Sequence, residues 1–107
     1  MARFMILWHL NTAAPVPMDP AKQLEMQEPF WALIDGMIKK GEIEDFGIFP
    51  DGYSGYAIHK SETADLLRHA ITFQPWVIGE VHEIIPFEKS KEITRAVLKA
   101  QIAAMKK

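Results

Sequence analysis

The order of strand-like and helix-like stretches is the sequence feature that most constrains the fold of this chain. Runs of β-branched, aromatic and alternating apolar residues predict four strands, at residues 3–11, 42–49, 53–59 and 76–87. Apolar residues at helical spacing fill the stretches between the first and second strands and between the third and fourth. The predicted order is therefore strand, helix, strand, strand, helix, strand, followed by a helical tail.

The first predicted helix has recognisable signals at both ends. Asp19 is a good N-terminal cap, and Pro20 follows at the first helical position, where proline is favoured. Gly41 stands where a left-handed residue commonly ends a helix. Pro29 lies inside the helix and removes a backbone hydrogen bond at a cost of about 3 kcal/mol. We therefore expect a kink or a break near residues 27–28.

The second half of the chain also contains residues that are typical of turns and helix ends. Pro50-Asp51-Gly52 predicts a tight hairpin turn, because proline fixes φ and glycine tolerates a positive φ. Ser61 is predicted to cap the second helix, and Pro75 to end it just after Gln74. The buried stripe of this helix is expected to consist of Ala64, Leu67, Ala70 and Ile71.

Together these elements predict a ferredoxin-like α+β fold, in which two crossover helices cover one face of a four-stranded antiparallel sheet. Residues 1–87 would form this domain, and residues 88–107 an amphipathic C-terminal helix that packs on a neighbouring subunit. The uncovered sheet face would be too apolar to remain in water, since it carries Met5, Leu7 and either Ala57 or Ile58. We therefore expect a homodimer, or a larger homo-oligomer, whose sheets face one another as an α/β barrel and enclose a cavity.

Composition excludes several classes of function. The 107 residues have a net charge of -2 and no basic face, so nucleic acid is not an expected partner. The absence of cysteine removes disulfides and thiolate chemistry and suits a cytoplasmic location. The apolar N-terminal run is far shorter than the roughly 20 residues that a membrane span requires, so no membrane association is expected.

The last predicted strand carries the most chemically suggestive residues. Glu80 and His82 are two positions apart, which places both on one face of a strand that is apolar enough to be central. A carboxylate and an imidazole in an apolar cavity can exchange protons near neutral pH. His9 is expected to join them across the barrel, because we place the first and fourth strands at opposite edges of the sheet. Asn11 is a weaker candidate, as an oxyanion donor.

A few further residues are candidates for lining a ligand pocket or for holding a metal. Gly55 lies inside a strand, which suggests close approach by another backbone or a ligand. The aromatic residues expected at a ligand pocket are Tyr53, Tyr56 and Trp76. A metal held by the two histidines and the carboxylate is disfavoured, because no metal-binding spacing is present, and no cofactor is expected. His59 and His69 are predicted to be surface residues.

Several short motifs resemble the muconolactone delta-isomerase-like family of the dimeric α/β-barrel superfamily. They are Met18-Asp19-Pro20-Ala21-Lys22, Gly41, Gly52-Tyr53-Ser54-Gly55-Tyr56-Ala57-Ile58, Pro75-Trp76 and Glu80-Val81. The resemblance covers about residues 4–85 and implies the ferredoxin-like fold, sheet-to-sheet pairing, and a cofactor-free shift of a carbon-carbon double bond in an unsaturated lactone. The second strand differs, because Glu44-Asp45-Phe46-Gly47 stands where that family carries basic and aromatic residues.

Three hypotheses about function follow from the sequence. The first is a cofactor-independent isomerase that moves a proton and a double bond in a small unsaturated carbonyl compound. The second is a non-catalytic protein that binds a small ligand or serves assembly alone. The third is a cofactor-free monooxygenase of the antibiotic-biosynthesis type, which relies on aromatic residues in the cavity instead of an acid-base pair.

Overall fold

A computed structural model describes residues 2–13 and 19–106, and within these ranges the chain forms four strands and three helices. In chain order they are β1 (Ala2–Leu10), α1 (Pro20–Lys39), β2 (Ile43–Ile48), β3 (Ser54–Ser61), α2 (Thr63–Phe73), β4 (Val77–Ile84) and α3 (Phe87–Met105). The strands form one antiparallel sheet in the order β2-β3-β1-β4. The predicted α+β fold, with βαββαβ order and a C-terminal helix, is confirmed.

The sheet order corrects two predictions about the strands. β4 lies at an edge and is not central, whereas β1 is an interior strand that pairs with both β3 and β4. Each helical crossover skips one strand: α1 connects β1 to β2 past β3, and α2 connects β3 to β4 past β1. The first and fourth strands are therefore direct neighbours within one chain.

Local signals set the ends of α1 as predicted, but the helix is not interrupted. The Asp19 side chain accepts a hydrogen bond of 3.0 Å from the Ala21 backbone N–H, and Gly41 has a φ of 79°. The helix continues through Pro29, so the predicted break is wrong. Proline removes only its own N–H from the hydrogen-bond ladder, and the turns on either side maintain the helix.

The start of α2 also differs from the prediction. Ser61 is the last residue of β3, opposite Ala2 of β1, and does not cap the helix. Glu62 occupies the cap position and its side chain makes no capping hydrogen bond. Pairing with β1 therefore extends the strand through the position that the sequence assigned to the cap.

The predicted buried stripe of α2 is wrong. Leu67 and Ile71 are 63% and 58% exposed, whereas Leu66 is buried at 8%. The rotation of the helix is fixed by tertiary contacts: the His69 ring packs against His59 of β3, and the Phe73 ring lies 5.8 Å from the Phe30 ring of α1. Aromatic and imidazole packing therefore overrides the apolar periodicity of the sequence.

The two faces of the sheet have different surroundings. Phe4, Ile43 and Ala57, together with Leu66 of α2, form the buried apolar core on the side that the two helices cover. The opposite side, called the open face here, carries apolar residues from three neighbouring strands, among them Met5, Leu7, Ile58 and Ile78. Leu7 and Ile78 remain 37% and 46% exposed. The dimer expected to cover this face stays a prediction.

The C-terminal helix stands apart from the domain. Every described residue of α3 except Ser90 is exposed, and the molecule is elongated, measuring 72 × 28 × 24 Å. Its apolar residues therefore have little to pack against within the described chain. Among the described helices, none has the length and apolar character needed to cross a bilayer.

Candidate functional site

Register places the acid-base residues of β4 on the open face. Glu80 lies opposite Leu7 of β1, and His82 lies opposite Met5. The Glu80 Oε1 and His82 Nε2 atoms are 3.3 Å apart, so the two side chains form a contact pair. Their side chains are 71% and 53% exposed in the single chain. The pair is thus positioned on one face, beside apolar residues, and is open to water.

A small cavity brings His9 close to Glu80. It has a volume of about 280 Å³, and its lining includes Leu7, His9, Ser54, Ile78 and Glu80. His9 pairs with Ile78 in the ladder, which makes Glu80 its diagonal neighbour on the same face, about 7–8 Å away between backbones. The expected meeting of His9 and Glu80 therefore occurs within one chain, because β1 and β4 are adjacent. His82 does not line this cavity.

Asn11 and Trp76 lie outside the cavity lining. The Asn11 Nδ2 donates a hydrogen bond of 3.0 Å to the Pro75 carbonyl, and its Oδ1 accepts one of 3.0 Å from the Ala13 N–H. The Asn11 backbone N–H donates to the Trp76 carbonyl at 2.8 Å. Asn11 thus connects the end of β1 to the segment before β4, and this structural contact already engages its side chain.

Tyr56 does not line the cavity, but it contacts a residue that does. Its hydroxyl donates a hydrogen bond of 2.8 Å to Asp45 Oδ2, and its ring stacks 6.2 Å from that of Phe49, which lines the cavity. The hydrogen bond to Asp45, with added effects of desolvation and the negative charge, raises the pKa of Tyr56 above its ordinary value. Tyr53, at 49% exposed, precedes β3 and does not line the cavity.

Asp45 is a functional candidate that the sequence analysis missed. It lies at an irregularity in the pairing of β2 with β3, which directs its carboxylate toward Tyr56. Gly47 permits this geometry, since a β-carbon there would collide with the Tyr56 ring. A tyrosine and an acidic residue on neighbouring strands give no local sequence signal, so only the register reveals the pair.

Gly55 permits a close approach within the chain, as its position in a strand suggested. A β-carbon at this position would lie 2.5 Å from Cζ2 of Trp8. The Trp8 ring also stacks on Phe46 at 5.5 Å, and its indole N–H is buried with no partner among the described residues. Gly55 therefore accommodates the Trp8 indole and also the backbone carbonyl oxygen of Gly47, which a β-carbon would approach even more closely.

A second polar cluster lies on the helix side of the sheet and corrects the prediction that its histidines are surface residues. His59 is 5% exposed, and its ring centroid lies 5.3 Å from that of His69, whose Nε2 is 3.3 Å from Glu42 Oε2. Burial lowers the pKa of His59 to about 4, with a further lowering by His69 and an opposing effect of Glu42. Burial by α2, which sequence spacing does not reveal, removes the His59 ring from water and leaves 12% of the His69 side chain exposed.

Neither similarity to known proteins nor metal-binding geometry assigns a function to this chain. Within residues 2–13 and 19–106, no group of three or more histidine, cysteine, aspartate or glutamate side chains is arranged to hold a metal ion. No model of a known protein family matches the chain, and no curated protein matches it. The candidate chemistry therefore depends on the residues of the open face alone.

Proposed function

We propose that this protein is a cofactor-independent enzyme that moves a proton, and with it a double bond, within small unsaturated carbonyl or lactone compounds. The observation that carries the proposal is the 3.3 Å contact between Glu80 and His82 beside a cavity that Glu80 also lines. A carboxylate and an imidazole at hydrogen-bond range form a proton-handling pair. The cavity supplies an adjoining apolar wall from Leu7 and Ile78.

The proposed reaction balances without an oxidant or a metal. The Glu80 carboxylate takes a proton from the carbon next to the carbonyl, and the electron pair of that C–H bond forms a dienolate. The dienolate then takes a proton at its distal carbon, so that the double bond has moved and the base is regenerated. His82 holds and relays the proton, and His9 donates a hydrogen bond to the enolate oxygen.

The proposal includes a homodimer formed by two open faces. Glu80 is 71% exposed in the single chain, so water reaches its carboxylate. A second sheet laid over Leu7, Ile58 and Ile78 would bury apolar surface and exclude water from the cavity. The exposed apolar residues of the open face thus support the proposed dimer. Formation of that dimer would in turn remove water from Glu80, as the chemistry requires.

A non-catalytic ligand-binding or assembly protein is the second candidate. The observation that favours it is the strong exposure of both members of the Glu80–His82 pair, because an exposed pair is common on surfaces without any catalytic role. In this case the open faces would pair and enclose a ligand, or nothing, and no proton would be transferred to carbon.

The experiment is deuterium incorporation from D₂O into a panel of unsaturated lactones and cyclic enones, followed by NMR together with double-bond migration. The wild type is compared with Glu80→Gln and His82→Gln. Glu83→Gln is the matched control, because Glu83 lies on the same strand but opposite Phe4, on the helix side of the sheet.

Loss of a positioned proton-transfer group is expected to lower the rate about 10²–10⁴-fold in Glu80→Gln, while Glu83→Gln keeps the wild-type rate. Equal rates in all four proteins would exclude the acid-base role. Ligand binding without exchange in any of them would establish the second candidate. Oxygen consumption with polyphenol substrates would instead favour the monooxygenase hypothesis.

A further inference from the structure

The buried histidine cluster contains most of the unsatisfied polar atoms of the described chain. His59 Nδ1, His69 Nδ1 and Ser61 Oγ are buried and have no hydrogen-bond partner within residues 2–13 and 19–106. A buried polar atom without a hydrogen-bond partner lowers the stability of the fold. In known structures such an atom normally contacts a bound water, or it lies at a strained or functional position. Two of the three belong to the rings of His59 and His69, which pack against each other where α2 meets the sheet.

The surroundings of His59 are suited to a neutral ring. Its cross-strand partners are Phe4 of β1 and Ile43 of β2, both buried and apolar. A protonated imidazole has two N–H donors and no acceptor, whereas a neutral ring has only one donor. Neither apolar side chain offers an oxygen to the added donor, so protonation would place a charge in a buried and largely apolar site.

The charged and titratable groups around His59 come from three other elements. His69 faces it from α2, and Glu42, at the end of the turn after α1, is paired with His69. Glu83 of β4 lies on the same sheet face, one strand further away beyond Phe4. The Asp65 carboxylate of α2 is engaged by Arg68. The His69 ring lowers the pKa of His59, and the negative charge of Glu42 opposes this effect.

We infer that His59 and His69 form an acid-sensitive contact that holds α2 on the sheet while His59 is neutral and releases the helix when His59 gains a proton. Release exposes both rings to water, which solvates the charge on His59 and provides hydrogen-bond partners for the free nitrogens. The beginning of α2 is weakly held, because the Glu62 cap makes no side-chain hydrogen bond. This inference does not depend on the proposed enzymatic function.

The experiment is hydrogen–deuterium exchange of the full chain from about pH 7 to about pH 4, corrected for intrinsic exchange rates. In wild type, the opening equilibrium of residues 63–73 is expected to rise about tenfold per pH unit below the ordinary histidine pKa, as uptake of one proton requires. Protection of β1 should change less over the same range. His59→Gln removes the titrating group and should leave opening of α2 almost independent of pH.

His82→Gln is the matched control, because it makes the same chemical change at a histidine whose side chain is 53% exposed. It should retain the wild-type pH dependence of α2. An equally steep dependence in His59→Gln, or loss of β1 and α2 protection together, would overturn the inference. If His59→Gln does not fold, an NMR titration of the wild-type rings decides: protonation of His59 without simultaneous opening of α2 would also overturn it.

Discussion

Leu7 of β1 lies directly opposite Glu80 of β4 in the antiparallel ladder, on the sheet face that neither α1 nor α2 covers. Tyr56 of β3 flanks Leu7 on the other side. An apolar residue at the centre of the sheet is thus bordered by an acid on one strand and a phenol on the other. This relationship connects the predicted assembly to the proposed chemistry, because the surface that would pair also carries the proton-handling groups.

Leu7→Lys is expected to convert the predicted dimer into monomers. A two-fold sheet-to-sheet contact would remove the new ammonium group from water, and pairing with Glu80, which lies opposite, does not fully offset that desolvation cost. Size-exclusion chromatography with light scattering measures the result. Leu67→Lys, at a position of α2 that is 63% exposed, is the control and should remain dimeric. A dimeric Leu7→Lys protein would contradict pairing through the open face.

The stability of the protein is expected to fall as the pH decreases through the histidine range. The pKa of His59 is lowered to about 4 in the folded state from an ordinary value of 6.5, so the unfolded chain binds the proton first. Its contribution is therefore fully present above about pH 6.5 and is lost as the pH falls to about 4, a change of about 3 kcal/mol. Urea unfolding across this pH range tests whether the unfolding free energy decreases as the pH falls.

For the same unfolding measurement, His82→Gln supplies the comparison. Its exposed ring should contribute little, so its curve of unfolding free energy against pH should run parallel to that of wild type. If the unfolding free energy of wild type is instead constant between about pH 6.5 and about pH 4, His59 binds a proton as readily in the folded chain as in the unfolded chain. That result would contradict the prediction.

Adding one methyl group at two different glycines should have opposite effects. Gly55→Ala places a β-carbon 2.5 Å from the Trp8 ring and is expected to destabilise the fold by about 1–3 kcal/mol. Gly36→Ala meets nothing within 4 Å and lies inside α1, so it should stabilise by about 0.5–1 kcal/mol. Urea unfolding of both variants gives the comparison. A Gly55→Ala protein as stable as wild type would contradict the close packing at Gly55.

A chain that ends at Phe87 is expected to fold with nearly the same stability as the full chain. The removed helix is exposed along almost its whole length, so it contributes little packing to the sheet domain. Thermal unfolding followed by circular dichroism tests this, and light scattering reports whether higher assemblies are lost. A large decrease in melting temperature at a concentration where both chains are monomeric would mean that α3 contributes to the domain itself.

The sequence by itself determined the features that depend on local backbone chemistry. The start of α1 at Asp19-Pro20, the left-handed Gly41 and the turn at Gly52, with a φ of 80°, follow from capping and from the conformational limits of proline and glycine. The order of strands and helices follows from apolar periodicity. The presence of Glu80 and His82 on one face follows from the period of a strand.

Only the tertiary structure decided which distant residues meet. The pairing of β1 with β4 brings His9 beside Glu80 in one chain, and the packing of α2 buries His59 and His69 although their sequence context resembles a surface. The bond between Tyr56 and Asp45 likewise depends on an irregular register. Strand order, register and helix rotation are set by the burial of side chains far apart in the chain, which no local pattern encodes.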